Sequence, residues 1–157
     1  MSQAERQMPI ELHPIARVKN NVLEKGKLHW QNVESELVFD PSFVDALDGI
    51  DEFSHIIVIF HMNRSPDWEN SMSMTHPQMR PELPLVGVFA TRSPVRPNPL
   101  GMTIVKLLER KGNVLRVVGL DALDDTPVLD IKGYFTSDSA ADARVPEWVH
   151  KLHQQNQ

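Results

Sequence analysis

Apolar positions along this chain gather mostly in short runs with β-type composition. His55–Phe60 (HIIVIF) is β-branched and aromatic between its polar ends, as a buried strand would be. Met102–Leu108 (MTIVKLL) and Val114–Leu120 (VLRVVGL) flank the turn signal Lys111-Gly112-Asn113, which predicts a hairpin. Val128–Phe135 (VLDIKGYF) alternates in part, with Asp130 and Lys132 on either side of Ile131. Glu36–Phe39 and Leu85–Thr91 (LVGVFAT) read as two further strands. Helix signals are fewer. Asp40-Pro41 has the form of an N-cap followed by proline at the first helical position. The helix it predicts runs through Phe43, Val44 and Leu47 and stops near Gly49. Pro146 opens a second helix, with Trp148, Val149 and Leu152 at helical spacing as packing residues. The pattern predicts a mainly β domain with one or two short helices and no βαβ alternation.

One stretch fits neither period. Asn63–Pro84 holds Pro66, Pro77, Pro81 and Pro84, together with Met72, Met74 and Met79 and, at its edge, Met62. A loop of this length is either a lid or partner-binding segment or a surface insertion.

Composition narrows the class. A chain of 157 residues with 41% hydrophobic content suits one domain with one core. No run approaches the roughly 18 apolar residues of a membrane helix. Met1–Met8 is polar and lacks an apolar signal core, so residues 1–9 read as a flexible arm. The domain then covers 10–149, with a tail over 150–157. The absence of cysteine excludes disulfides, thiolate metal sites and a cysteine nucleophile, and is compatible with a cytoplasmic protein. The net charge of −5 argues against a general nucleic-acid binder. Its distribution is uneven: Arg80–Arg116 carries seven Lys or Arg against two acids, net +5, leaving −10 elsewhere. That segment either holds an anionic ligand at one place or points its charges in different directions.

The densest chemical signal is Thr91–Gly101 (TRSPVRPNPLG), with Pro94, Pro97 and Pro99 within six positions. Each proline fixes φ and removes a donor, so the segment is a stiff extended loop with little entropy left to lose on binding. It mounts Arg92, Ser93, Arg96 and Asn98, and arginine's planar donors suit carboxylate or phosphate. It reads as a ligand clamp or, failing that, as a rigid crossover; Gly101 allows close approach of backbone or ligand. Asp121, Asp124, Asp125 and Asp130 form a second cluster. Asp125, within Asp-Asp-Thr-Pro, reads as a turn former. Asp121 and Asp130 border apolar strand residues and are candidates for a ligand contact, a buried ion pair or a proton acceptor. His55 and His61 lie six residues apart on one face of a strand, and a metal would need a further ligand, so no metal site is expected. His61, beside the irregular loop, is the ligand candidate of the two. No Gly-x-Gly-x-x-Gly, Walker loop or nucleophile elbow is present, so a nucleotide-like cofactor would be held on a β scaffold rather than a Rossmann sheet.

The run Gly87–Gly101 (GVFATRSPVRPNPLG) closely resembles the signature of the TsaA-like (TrmO-type) family of S-adenosylmethionine-dependent tRNA methyltransferases. Gly49–His55 (GIDEFSH) and Asp121–Lys132 (DALDDTPVLDIK) resemble that family too, and the likeness runs from about Pro14 to Trp148. The resemblance implies a single small non-Rossmann β-barrel that binds S-adenosylmethionine, usually as a homodimer. It also implies methylation of N6 of threonylcarbamoyl-adenosine beside the tRNA anticodon. Cofactor contacts implied by the resemblance fall on His61, Met62, Arg92, Met102, Leu120 and Asp121. Ser93, Arg96 and Asn98 join them from the clamp. No catalytic base is assigned, Asp121 and Asp130 being the candidates. The alternatives are a non-catalytic S-adenosylmethionine sensor or a methyltransferase with another acceptor. Four departures stand out. An arginine-glycine segment common before the first helix is not evident in Lys27–Glu34 (KLHWQNVE). The longer bacterial members carry a C-terminal domain, whereas this chain ends soon after Trp148. Asp124-Asp-Thr-Pro127 replaces the usual Asp-Gly-Thr-Pro, and Gly133 stands where proline is common.

Overall fold

In the computed structural model of the chain, which describes residues 8–26 and 28–154, six antiparallel strands close into a barrel. Most of the predicted arm, Met1–Gln7, and the end of the tail, 155–157, lie outside the described residues. The barrel strands are β1 (Ala16–Lys19), β2 (Glu34–Phe39), β3 (His55–His61), β6 (Leu100–Lys111), β7 (Val114–Val118) and β8 (Pro127–Gly133). Around the barrel they run β1-β2-β7-β6-β3-β8, with β8 closing back on β1. A two-stranded pair, β4 (Met74–Thr75) with β5 (Val86–Gly87), stands apart from it.

Strand periodicity explains the core. Alternate residues point inward, so Val18, Leu37, Ile56, Val58, Phe60, Val105, Leu115, Val117 and Val128 fill the interior, each 3% exposed or less. These side chains fill the interior of so small a barrel, and a ligand therefore has to sit at a rim or on the outside. Gly101 belongs to this packing: a Cβ there would lie 2.3 Å from the Phe60 ring, its cross-strand partner. The close approach expected at Gly101 is therefore that of a core aromatic ring.

Several sequence expectations change. β1 was not anticipated, because Ala-Arg-Val-Lys is four residues long and half charged. Leu85–Thr91 is no full strand: only Val86–Gly87 pairs, and Val88–Ala90 turns into a 3-10 helix. Thr91 forces the turn by donating its amide and its hydroxyl to the Val88 carbonyl, at 3.0 and 2.7 Å. The helix after Asp40 is a 3-10 helix, Pro41–Leu47, capped by the Asp40 carboxylate on the Ser42 amide at 2.9 Å. Gly49 (φ 84°) does end that region. The second helix is α1 (Glu147–Gln154), with Trp148, Val149 and Leu152 half-buried on one side. The irregular stretch is more ordered than expected: it carries β4 and buries Pro77 and Leu83.

Candidate functional site

Antiparallel register alone brings the candidate residues together. At one rim of the barrel β1, β3 and β7 end while β2, β6 and β8 begin, as the pairings His61↔Leu100, Lys19↔Glu36, Glu34↔Val118 and Arg17↔Pro127 require. The segments 20–33, 62–99 and 119–126 therefore all emerge at this rim. The second of these segments carries Met62, Arg92, Ser93, Arg96 and Asn98, and the third Leu120 and Asp121, two groups whose members stand 22 to 59 positions apart in sequence.

A cavity of about 240 Å³ opens here. Phe60, Met62 and Leu123 supply apolar wall, Pro94 of the proline loop closes one side, and Asp121, Asn63 and Lys25 add polar groups. Its size is below the roughly 300–1,000 Å³ of sites that enclose a small molecule, so a larger ligand would be partly seated and partly exposed. The Asp121 carboxylate accepts a hydrogen bond from the Thr103 hydroxyl, which aims it from β6. Thr103 was missed in the sequence; the signal was a hydroxyl in an inward register otherwise held by Gly101, Val105 and Leu107. Leu120, next to Asp121 in the chain, has its side chain fully buried in the core cluster.

The rest of the clamp divides. Met62 donates its amide to the Pro99 carbonyl at 2.8 Å, fixing the proline loop to the end of β3. Ser93 accepts from the Val95 amide, and one Arg96 nitrogen donates to the carbonyls of Thr91 and Ser93, both at 3.3 Å. Arg96 and Ser93 thus brace their own loop. Arg92 and Asn98 are exposed, and Arg92 has no ion pair among the described residues. His61 and Met102 sit on the outer barrel face, Met102 opposite Ile59. Asp130 is on that face too, next to Ile59 on β8 and paired with Lys132 at 3.0 Å, away from the cavity lining. His55 is at the opposite end of β3 from His61, with Ser54 and Tyr134 as neighbours. Among the described residues no three His, Asp or Glu side chains gather for a metal.

The positive central segment is dispersed. Arg80 pairs with Glu82, Arg110 with Asp48, Lys111 with Glu109, and Arg116 with Glu109 and Glu34. Asp48 and Glu34, from outside the segment, offset part of the excess, while Arg92, Arg96 and Lys106 have no acidic partner among the described residues. The turn that replaces the family's glycine is also explained: Asp125 adopts φ 63°, a left-handed conformation that Asp tolerates better than most residues. At Gly133 a Cβ would lie 2.7 Å from the Phe53 ring, so this chain has filled with Phe53 the space that a proline would need.

Residues 16–139 match the family described as tRNA-methyltransferase O N-terminal domain. A Pyrococcus abyssi protein named "Probable S-adenosyl-L-methionine-binding protein" is 46% identical over 66% of this chain and 54% of its own length. The tRNA (adenine(37)-N6)-methyltransferase of Escherichia coli is 36% identical over 71% of this chain and 48% of its own. The chain spans about half the length of these two relatives. The crystal structure of TrmO from Pseudomonas aeruginosa matches with a TM-score of 0.72 and 31% identity, over 90% of this chain and 62% of that one.

Proposed function

This chain belongs to the tRNA-methyltransferase O N-terminal domain family, and from that premise we propose that it is a cytoplasmic S-adenosylmethionine-dependent methyltransferase acting on tRNA. Its acceptor is N6 of threonylcarbamoyl-adenosine next to the anticodon, and it works as a homodimer. The observation that carries this reading is the single rim where Met62, Pro94 and Asp121 line one cavity, with Arg92 on the adjoining loop.

The residues present fit such a ligand. Phe60, Met62 and Leu123 offer an apolar wall for a flat base, and the Asp121 carboxylate is an acceptor for an ammonium group or ribose hydroxyls. Arg92, without an ion pair among the described residues, offers its guanidinium to a carboxylate or a phosphate. S-adenosylmethionine supplies a methyl group activated on a sulfonium. The protein's part is to position the acceptor nitrogen in line and to exclude competing water. A carboxylate that takes the N6 proton completes it, and Asp121, in the cavity and aimed by Thr103, is better placed than Asp130. The homodimer reading is supported by Leu100, Met102 and Ile104 of β6, which expose 43–59% of their surface on the outer barrel face beside Ile57 and Ile59.

A second reading is a non-catalytic S-adenosylmethionine-binding module, favoured by the binding-protein name of the Pyrococcus relative. Calorimetric titration with S-adenosylmethionine, alongside a methyl-transfer assay on bulk tRNA, separates the two. Saturable binding with methyl incorporation supports the enzyme. Binding without transfer favours the module or another acceptor, and no binding removes both. Arg92→Ala should weaken binding severalfold or more; unchanged affinity takes Arg92 out of the site.

A further inference from the structure

Arg64 sits just past the end of β3, and its guanidinium reaches two segments distant in sequence. One nitrogen donates to the Leu23 carbonyl at 3.1 Å, the other to the Asp124 carbonyl at 3.0 Å. Leu23 belongs to the loop after β1, and Asp124 to the turn between β7 and β8 that carries Asp121. Arg64 itself lines the cavity, as does Lys25 two residues beyond Leu23.

The loop after β1 is held unevenly. Up to Val22 it is tied down well. The Asp124 carboxylate accepts from the Asn20 and Asn21 amides at 2.8 and 3.1 Å, the Asn20 side chain donates to Ser35 and the Ala122 carbonyl, and the Asp124 amide donates to Val22. Beyond Val22 the bond from Arg64 to Leu23 is the last hydrogen bond among the described residues until the turn starting at His29. Among the described residues, the segment from Leu23 through Lys25 to Gly26 therefore borders the cavity on one side-chain tether.

We infer that Arg64 is a positioning residue that fastens the Leu23–Gly26 segment over the cavity as a strap and locks it to the Asp121-bearing turn. The inference rests on the reading that this cavity takes S-adenosylmethionine. The forked guanidinium is what suits Arg64 to the task, since its geometry satisfies two carbonyls on different segments at once and an ammonium on a shorter reach does not. The strap restrains ligand departure rather than touching the reacting atoms.

Two readouts test it, one of which needs no ligand. Trypsin cleavage after Lys25, followed by mass spectrometry on the intact protein, reports how often the strap opens. In Arg64→Ala that cleavage should accelerate about fivefold, the equivalent of one lost hydrogen bond, and the thermal transition should stay within a few degrees of wild type. The dissociation constant for S-adenosylmethionine should rise by a similar factor, through faster dissociation. Arg64→Lys keeps the charge but not the fork and should release the strap as well. Unchanged cleavage after Lys25, or a lysine variant as protected as wild type, overturns the tether. A released strap with unchanged affinity overturns its link to the site. If the wild-type protein binds no S-adenosylmethionine, the functional reading fails, and the cleavage arm still decides whether Arg64 holds the loop.

Discussion

One glycine and one aspartate show how closely backbone conformation and neighbouring rings constrain single residues in this chain. Gly101 leaves room for the Phe60 ring in the core, and a methyl group added there would overlap it. Gly101→Ala should destabilise the protein by about 1–3 kcal/mol, the usual cost of overpacking, as read by denaturant unfolding. Asp125→Gly should act in the opposite direction, because glycine adopts the φ of 63° freely; a gain of up to about 1 kcal/mol is expected in the same assay. A Gly101→Ala protein as stable as wild type would mean that Phe60 has space to move. The turn at Asp125 was legible from sequence; the ring against Gly101 was not. The glycine in Pro-Leu-Gly read as a place for close approach of backbone or ligand, and nothing local reveals which ring crosses it on the neighbouring strand.

At the level of elements, the junction between the loop after β1 and the β7–β8 turn is the most densely bonded part of the rim. The Asn20 amide on the Asp124 carboxylate is the main reason that this acid ionises below the ordinary carboxylate range; the Asn21 amide, Lys19 and Arg64 add to it, and partial burial opposes it. A depressed carboxylate contributes stability that is present above its unfolded pKa, near 4, and is lost as pH falls through the lower folded value. Asp124→Asn should therefore lose stability relative to wild type at pH 6, and that difference should shrink toward pH 2–3. A gap of constant size across that range would assign the loss to geometry rather than to charge. The β6–β7 hairpin and β3 were visible as patterns because their apolar positions alternate or run continuously. β1 and the turn at Val88–Ala90 were not: the first is short and charged, and the second is apolar in sequence but bent by Thr91.

For the whole molecule, the outer face of β6 and β3 is the largest open question that the fold poses, and a homodimer is the proposed answer. Ile104 is 48% exposed at its centre and lies outside the cavity lining. Ile104→Glu should convert a dimer to a monomer in sedimentation velocity while leaving the strand content unchanged by circular dichroism. A wild-type protein that sediments as a monomer at micromolar concentration would sink the proposal. The sequence by itself determined the β class, five of the six barrel strands, the stiffness of the proline loop and the family. These rest on local periodicity, on fixed φ at proline and on a long contiguous signature, all readable along the chain. Only the tertiary structure decided which candidates share a site. Closure of the barrel carries Met62, Pro94 and Asp121 to one rim, sends Asp130 to the outer face, and spends Arg96 on its own loop. It likewise disperses the positive segment and places Arg64 across the cavity, because pairing partners are set by strand register and barrel closure, which no short stretch of sequence specifies.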